Sequence, residues 1–458
     1  MTFRMGLRRL IPGLGLVVLT MVAAPVARAE SLGQALAHAY EHSGLLEQNR
    51  ALLRAADEEV AQAVSALLPV VNWSASATLS YPDPTGRDDF TSANIGISTS
   101  LLLFDAGASQ FAIDAQKETV LATRAQLVSI EQQVLLRAVQ AYMSVRREAA
   151  FLNLRQNNVR VITQELRAAE DRFEVGEVTR TDVSLAEARL ASARSQLAAA
   201  EGNLARAAEE FRAAVGRRPG QLQAVSAAPI SRSLDEARAF AVRNHPDMKA
   251  AQRNVAAAEL NIARAEAAMR PTVTFSGQIG VNEDFDDTGS IGITAQGPIY
   301  QGGRLSSIVR QAMARRDANR AGLLVTRHTI EQNVANAYAT LAVARASREA
   351  FARQVRASEV AFRGVREEAT LGARTTLDVL NAEQELLDAR ANLVSAEVDE
   401  IIATYQVLFS MGLLTVDHLR LGVQTYDPEA YYNLVRDAPP VLSEQGAALD
   451  RVLRAIGD

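Results

Sequence analysis

Cysteine is absent from the chain, so no disulfide holds its fold and no thiol could carry an N-terminal lipid after export. Aromatic residues make up only 5%, with a single tryptophan at Trp73. Proline is missing from Asp105 to Arg218 and again from Ile299 to Asp427. Both stretches are rich in Ala, Leu, Glu, Gln and Arg, the strong helix formers, so such length reads as helix. Beyond the opening segment no run is apolar enough to cross a bilayer as a helix. Positive charge is not in excess either. Without Arg4, Arg8, Arg9 and Arg28 the 48 basic residues fall to 44 against 53 acidic ones, which argues against a nucleic-acid partner. No nucleophile elbow, phosphate loop or dinucleotide motif appears, and the chain does not read as an enzyme or as a cofactor binder.

The opening residues carry Arg4, Arg8 and Arg9, then an apolar run from Leu10 to Ala24, then Ala27-Arg28-Ala29. That is the layout of a secretory signal, expected to be removed as residues 1–29. An uncleaved anchor is the alternative, but the run is shorter than the ~20 residues a spanning helix needs.

What remains contains itself twice. At an offset of 202, Ser31–Pro69 falls on Ser233–Pro271; at an offset of 196, Phe104–Gly216 falls on Tyr300–Gly412, with no gap inside either block. The first repeat covers 30–218 and the second 232–420. Residues 219–231, with Pro219, Gly220 and Pro229, read as the linker along the waist, and 421–458 as a C-terminal equatorial segment and tail. The tail beyond Pro439-Pro440 reads as loosely ordered. A repeated unit of this kind cannot bury its hydrophobic face alone.

After Pro69 and Pro271 each repeat carries two alternating segments, about 70–104 and about 272–299. Val71, Trp73, Ala75, Ala77, Leu79 and Tyr81 alternate with Asn72, Ser74, Ser76, Thr78 and Ser80, and Ile95, Ile97, Thr99, Leu101 and Leu103 follow the same rule. Period-2 alternation gives one apolar and one polar face, which suits a soluble sandwich or an outer-membrane strand with water inside. The small uncharged residues of the polar face favour the wet lumen.

The long helical hairpins follow, about 108–216 and about 304–412, with apolar residues at 3-4 spacing. Val183, Ala186, Leu190, Ala193 and Leu197 match Val379, Ala382, Leu386, Ala389 and Leu393. Such seams describe antiparallel coiled coils, and a helix from about Ala108 to about Glu174 would be on the order of 100 Å long. Four strands cannot close a barrel, and open edges in lipid leave backbone groups unpaired. Other copies must close it: two chains give eight strands and three give twelve, with room for water. The fold class expected is therefore mainly α with a β-barrel part, a coiled-coil helical barrel plus twelve strands in a trimer.

In this order the motifs resemble the TolC family of outer-membrane efflux proteins: Pro69, Leu103-Phe104-Asp105-Ala106-Gly107, Val175-Gly176-x-x-Thr179-x-x-Asp182-Val183, then Pro271, Ile299-Tyr300-Gln301-Gly302-Gly303 and Leu371-Gly372-Ala373-Arg374-Thr375-Thr376-Leu377-Asp378-Val379. Pro69, Phe104, Gly107, Pro271, Tyr300 and Gly303 mark the barrel–tunnel junction. The resemblance implies a homotrimeric channel in outer-membrane lipid that reaches through the periplasm, docks a periplasmic adaptor and an inner-membrane transporter, and serves efflux or type I secretion. It further implies that Thr181 and Asp182 of one hairpin and Arg374 of the other hold the periplasmic end shut, and that Asp378 forms an acidic ring whose members raise one another's pKa values. Asn381 departs from the family's second acidic ring, which implies a weaker cation block, and Ala369 stands where the family has a tip aromatic.

The residues themselves say less about the tips. Gly176 and Gly372 suit the left-handed position of each turn, and Thr179, Asp182, Thr375 and Asp378 suit the start of the returning helix. His38 and His42 have the spacing of a zinc pair but no glutamate of the metalloprotease motif between them, and read as structural or surface histidines rather than a metal site. A secreted coiled-coil protein without a pore is the competing reading.

Overall fold

A computed structural model describes residues 29–80, 90–440 and 443–457. The expected signal segment and the loop with Tyr81, Pro82, Pro84 and Gly86 lie outside the described residues. Both repeats have one order of elements. The first holds α1 (Leu32–Glu41), α2 (Gly44–Ser65), β1 (Val70–Ser80), β2 (Phe90–Phe104), α3 (Ala108–Glu174) and α4 (Arg180–Val215). The second holds α5 (Leu234–Asn244), α6 (Pro246–Ala267), β3 (Thr272–Asn282), β4 (Asp287–Gln296), α7 (Arg304–Thr370) and α8 (Thr376–Ser410). The chain then continues through α9 (Val416–Leu419), α10 (Ala430–Val435) and α11 (Glu444–Gly457).

Two sequence boundaries need correction. The strand pair expected to reach residue 299 ends at Gln296, because Gly297 and Pro298 interrupt the ladder. The tail after Pro439-Pro440 is also not loose, since α11 forms there and buries Leu449 against Ala61, Tyr431 and Val435.

The strands make one antiparallel sheet in the order β1-β2-β3-β4. Both hairpins share a register, with Val70 opposite Ser100 and Thr272 opposite Gln296. Along one face Trp73, Ile97 and Ile279 lie in a row, and along the other Asn72, Ser98, Gln278 and Ser290. Trp73 is 78% exposed and Ile293 68%. A large apolar face left uncovered on a sheet with two open edges matches a lipid-facing wall, not half of a sandwich. At the centre, a Cβ on Gly96 or Gly280 would lie 2.8 Å from the carbonyl oxygen of Ile279 or Ile95, so only glycine fits this pair.

Below the sheet α3 and α7 run unbroken for 67 residues each. Along α3 the partner nearest the sheet is α2 and the partner nearest the tip is α4; α6 and α8 divide α7 in the same way. The expected seams are buried: Val134, Ala138, Ala141 and Val145 on α3, Ile330, Val334, Ala337 and Leu341 on α7. Alanine in these seams lets the backbones approach closely. Around the wall the order is α4, α3, α8, α7, because α3 packs on α8 as well as on α4.

The main core lies at the waist. Glu30 and Gln223 pair backbone to backbone, with the Gln223 amide 2.9 Å from the Glu30 carbonyl oxygen, so the linker lies against the start of the first repeat. The buried Tyr142 hydroxyl donates to the Glu30 carbonyl at 2.8 Å and stands 3.0 Å from that of Gln223. Its ring packs on Phe211.

Candidate gate at the hairpin tips

Each hairpin reverses through the same hydrogen bonds. Gly176 sits at φ +82° and Gly372 at φ +75°, where a side chain is strained. The Glu177 amide reaches the Arg172 carbonyl at 2.9 Å, and the Ala373 amide reaches that of Glu368 at 2.9 Å. These are Schellman closures that satisfy the last carbonyls of α3 and α7. Three residues after each glycine a threonine caps the returning helix. The Asp182 carboxylate accepts from the Thr179 amide at 3.0 Å and its hydroxyl at 2.7 Å. Asp378 accepts from Thr375 at 3.0 and 2.8 Å in the same way.

Capping also sets the charge. The Thr179 hydroxyl and amide hold the Asp182 carboxyl below the usual carboxylate value, and the Thr375 amide and hydroxyl do so for Asp378. Within one chain these bonds act against the upward shift expected for a ring of aspartates. A single oxygen, Oδ2, takes both bonds in each residue, so the other stays available and a cap is compatible with a gate.

The tips differ in their side chains. Arg374 stands where the first hairpin has Val178, and its Nε donates to Glu368 at 2.8 Å on its own hairpin. Within one chain, then, Arg374 is not bonded to Thr181 or Asp182. Thr181 is exposed in the first turn of α4. Ala369 is buried beneath the tip.

Near the tips, three pairs among the described residues cross between the hairpins of one chain. Arg172 donates to the Thr376 hydroxyl at 3.4 Å, Arg366 meets Glu165 at 3.3 Å, and Arg189 donates to the Asn381 Oδ1 at 3.1 Å. Farther from the tip, Asn158 Nδ2 donates to both oxygens of Glu383 at 2.6 and 2.7 Å, with both residues buried. Burial pushes the Glu383 carboxyl up, while the Asn158 amide opposes this. Sequence reasoning missed this pair. Its signal was present: Asn158 falls one turn before Ile162, and Glu383 one turn after Leu380, both on an apolar seam.

At the opposite end of the rods the junction residues stop the strands. Pro69 and Pro271 directly precede β1 and β3, and Phe104 ends β2 at a register shift after Leu102. Gly107 and Gly303 take left-handed backbone at the N-caps of α3 and α7. Asp105 accepts from the amides of Gly107 at 3.0 Å and Ser109 at 2.6 Å, a cap not foreseen from the sequence. Tyr300 stands free at the matching corner, 86% exposed. Among the described residues no cluster of three or more potential ligands suits a metal, and His38 and His42 stack on each other, with His38 bonded to the Val215 carbonyl.

Comparison with known proteins follows the repeat. A family model described as outer membrane efflux protein matches twice, over residues 35–217 and 240–413. The chain is 35% identical to the outer membrane efflux protein BepC of Brucella suis over 426 residues, 91% of this chain and 93% of that protein. It is 26% identical to the proteases secretion protein PrtF of Dickeya chrysanthemi, covering 80% and 86%. Among solved structures, the outer membrane protein VceC of Vibrio cholerae superposes with a TM-score of 0.70 at 23% identity, over 83% of this chain and 96% of that one.

Proposed function

The chain belongs to the outer membrane efflux protein family, and from that membership we propose how its wall closes, docks and opens. It is a channel-tunnel of the outer membrane, an exit duct for efflux or type I secretion rather than an enzyme. The membrane part is the sheet, whose apolar face is uncovered; no helix among the described residues is long and apolar enough to cross a membrane. The observation that carries the rest is a four-stranded sheet with an uncovered apolar face and two open edges. Three copies joined edge to edge remove those edges as a twelve-stranded barrel. Residues 1–29 direct export and are cleaved.

The periplasmic end opens at the tips, on docking to an adaptor and an inner-membrane transporter. Arg374 reaches from its hairpin to Thr181 and Asp182 of the neighbouring one and holds the end shut, while Gly176 and Gly372 keep the turns tight. Asp378 lines the opening through its free carboxylate oxygen, with Thr375 and Thr179 fixing the aspartates of both tips. Asn381, held by Arg189, supplies no second charge. Multivalent cations therefore block the channel at one ring only.

Planar-bilayer recording of the purified protein tests this. Discrete conductance is expected, with block by added multivalent cations that disappears in Asp378→Ala. Block that persists in Asp378→Ala defeats the single-ring assignment.

A further inference from the structure

One chain is a strip of wall with two free sides. On one side stand β1, α2 and α4; on the other stand β4 and α7. Its inner joint, where the first repeat meets the second, is β2 on β3 above and α3 on α8 below. Two of the polar pairs joining α3 to α8 there are Arg172 with Thr376 near the tip and Asn158 with Glu383 farther from it.

The repeat offset of 196 carries these positions to the free sides. Asn158 becomes Gln354 on α7 and Glu383 becomes Glu187 on α4, so an amide again faces a carboxylate. Arg172 becomes Glu368 and Thr376 becomes Arg180, so the second bond turns into an ion pair of reversed direction. Asn158, Glu383 and Thr376 are buried, whereas Gln354, Glu187, Glu368 and Arg180 are all exposed in the single chain. Glu368 gives only Oε2 to Arg374, leaving its other oxygen for a second cation.

We propose that two contacts of the inner joint recur between chains, with Gln354 hydrogen-bonded to Glu187 of the partner subunit and Glu368 paired with Arg180 of the partner subunit. This rests on the edge-to-edge closure argued above. The partner is a second copy of this chain, and three reasons select it. The free sides are the two halves of a joint the chain already makes once. Glu368 on one side and Arg180 on the other are opposite in charge. The amide–carboxylate pairing is kept at the offset although Gln354 and Glu187 are both exposed in the single chain. In the sheet, Ile97 opposite Ile279 places Ile293 opposite Ala77 of the partner subunit by the same rule. Buried polar pairs of this kind set the register of a coiled-coil seam, which is what a ring of six hairpins needs to close without slipping.

The absence of cysteine makes the test clean. Gln354→Cys with Glu187→Cys, treated with a short bis-maleimide because these long side chains span more than a disulfide reaches, should give dimer and trimer bands on a denaturing gel. Each single variant should give none. The control Asn158→Cys with Glu383→Cys should react yet stay at monomer mass. An intact trimer by light scattering without crosslinking at 354 and 187 overturns the copied joint and leaves closure standing. A parent protein that is monomeric by light scattering defeats the closure itself. A charge swap checks the second pair: Glu368→Arg and Arg180→Glu should each raise the closed-state conductance about tenfold and the double variant should return it toward the parent. Additive effects in the double variant exclude the pair.

Discussion

The helices α3 and α7 have the same length, 67 residues, and occupy the same place in their repeats, yet α3 buries seventeen residues and α7 only eight. The shared seam, Val134 to Val145 on Ile330 to Leu341, does not account for this, although Val120 and Leu135 of α3 fall on Arg316 and Glu331 of α7. Neighbours do. α3 has α2 and α4 on one flank and α6 and α8 on the other, while α7 has a partner on one flank only. Leu324, Val325, Val343 and Val360 on α7 stay exposed in the single chain. A repeat that is finished inside the chain and unfinished at its margin is what a wall built from several chains requires.

The sharpest way to break this comparison is at the waist, where the two repeats make the same bond in different settings. Tyr142 donates to the Glu30 carbonyl, and Tyr338, at offset 196, donates to that of Arg232, which is Glu30 at offset 202. Tyr142 is fully buried; Tyr338 is not. Tyr142→Ala should cost about 3–5 kcal/mol, as for other large aromatics removed from a core, and Tyr338→Ala clearly less when the two are compared by urea unfolding of the detergent-solubilised protein. Equal losses would mean that Tyr338 is as enclosed as Tyr142 in the assembly.

The second difference comes from the tail. In the second repeat Glu259 meets Arg320 at 2.6 Å on the surface. The equivalent residues of the first repeat are Asp57 and Arg124, but there the tail intervenes: Arg124 turns to Glu429 at 3.2 Å and lies 5.2 Å from the Tyr432 ring. Asp57 is left buried with neither oxygen hydrogen-bonded. Burial pushes its carboxyl up to about 6, with Arg124 opposing and Glu58 adding to the shift. The folded value lies above the unfolded one, so the folded state binds this proton more tightly. Stability is full below about pH 4 and declines as pH rises to about 6, by at most about 3 kcal/mol. Asp57→Asn should flatten that decline and stabilise the protein at pH 7, read from denaturant midpoints between pH 4 and 8. An unchanged pH profile would show that Asp57 is solvated in solution.

How much of this was legible in the sequence depends on what each element answers to. Strand alternation, seams, glycine turns and threonine caps answer to local geometry, and both copies state them twice, so Val183 to Ala193 and Val379 to Ala389 could be read as core directly. Tertiary choices were not legible. Nothing in the sequence says that Arg124 leaves its repeat partner for Glu429, or that Asn158 finds Glu383 across 225 residues. The order of α11 was missed because Pro439-Pro440 signals a stop, although Ala447, Leu449, Val452 and Leu453 follow it at helical spacing.

The tips sharpen the comparison further, because their backbones agree and only their charges differ. Arg374 has no counterpart at Val178, so at this position of the turn the second hairpin alone carries a cation. Arg374→Ala should raise closed-state conductance about tenfold, whereas Val178→Ala should leave it unchanged. If the arginine variant conducts no better than the parent, the latch lies elsewhere.

The smallest effect expected is at the strand stops. In the second repeat Gly302 takes φ +58°; in the first the same place holds Ala106 at φ +57°. Left-handed backbone costs a residue with a Cβ about 1 kcal/mol relative to glycine. The Asp105 carboxylate, which caps the first turn of α3 immediately after, has no acidic counterpart at Gln301 and is the compensating contact that lets alanine persist there. Ala106→Gly should therefore stabilise the protein by about 0.5–1 kcal/mol, and Gly302→Ala should destabilise it by at least as much, since no carboxylate offsets the strain in that copy. A stabilisation of the first and a neutral second variant would reverse this assignment and make the acidic cap, not the glycine, the determinant of the turn.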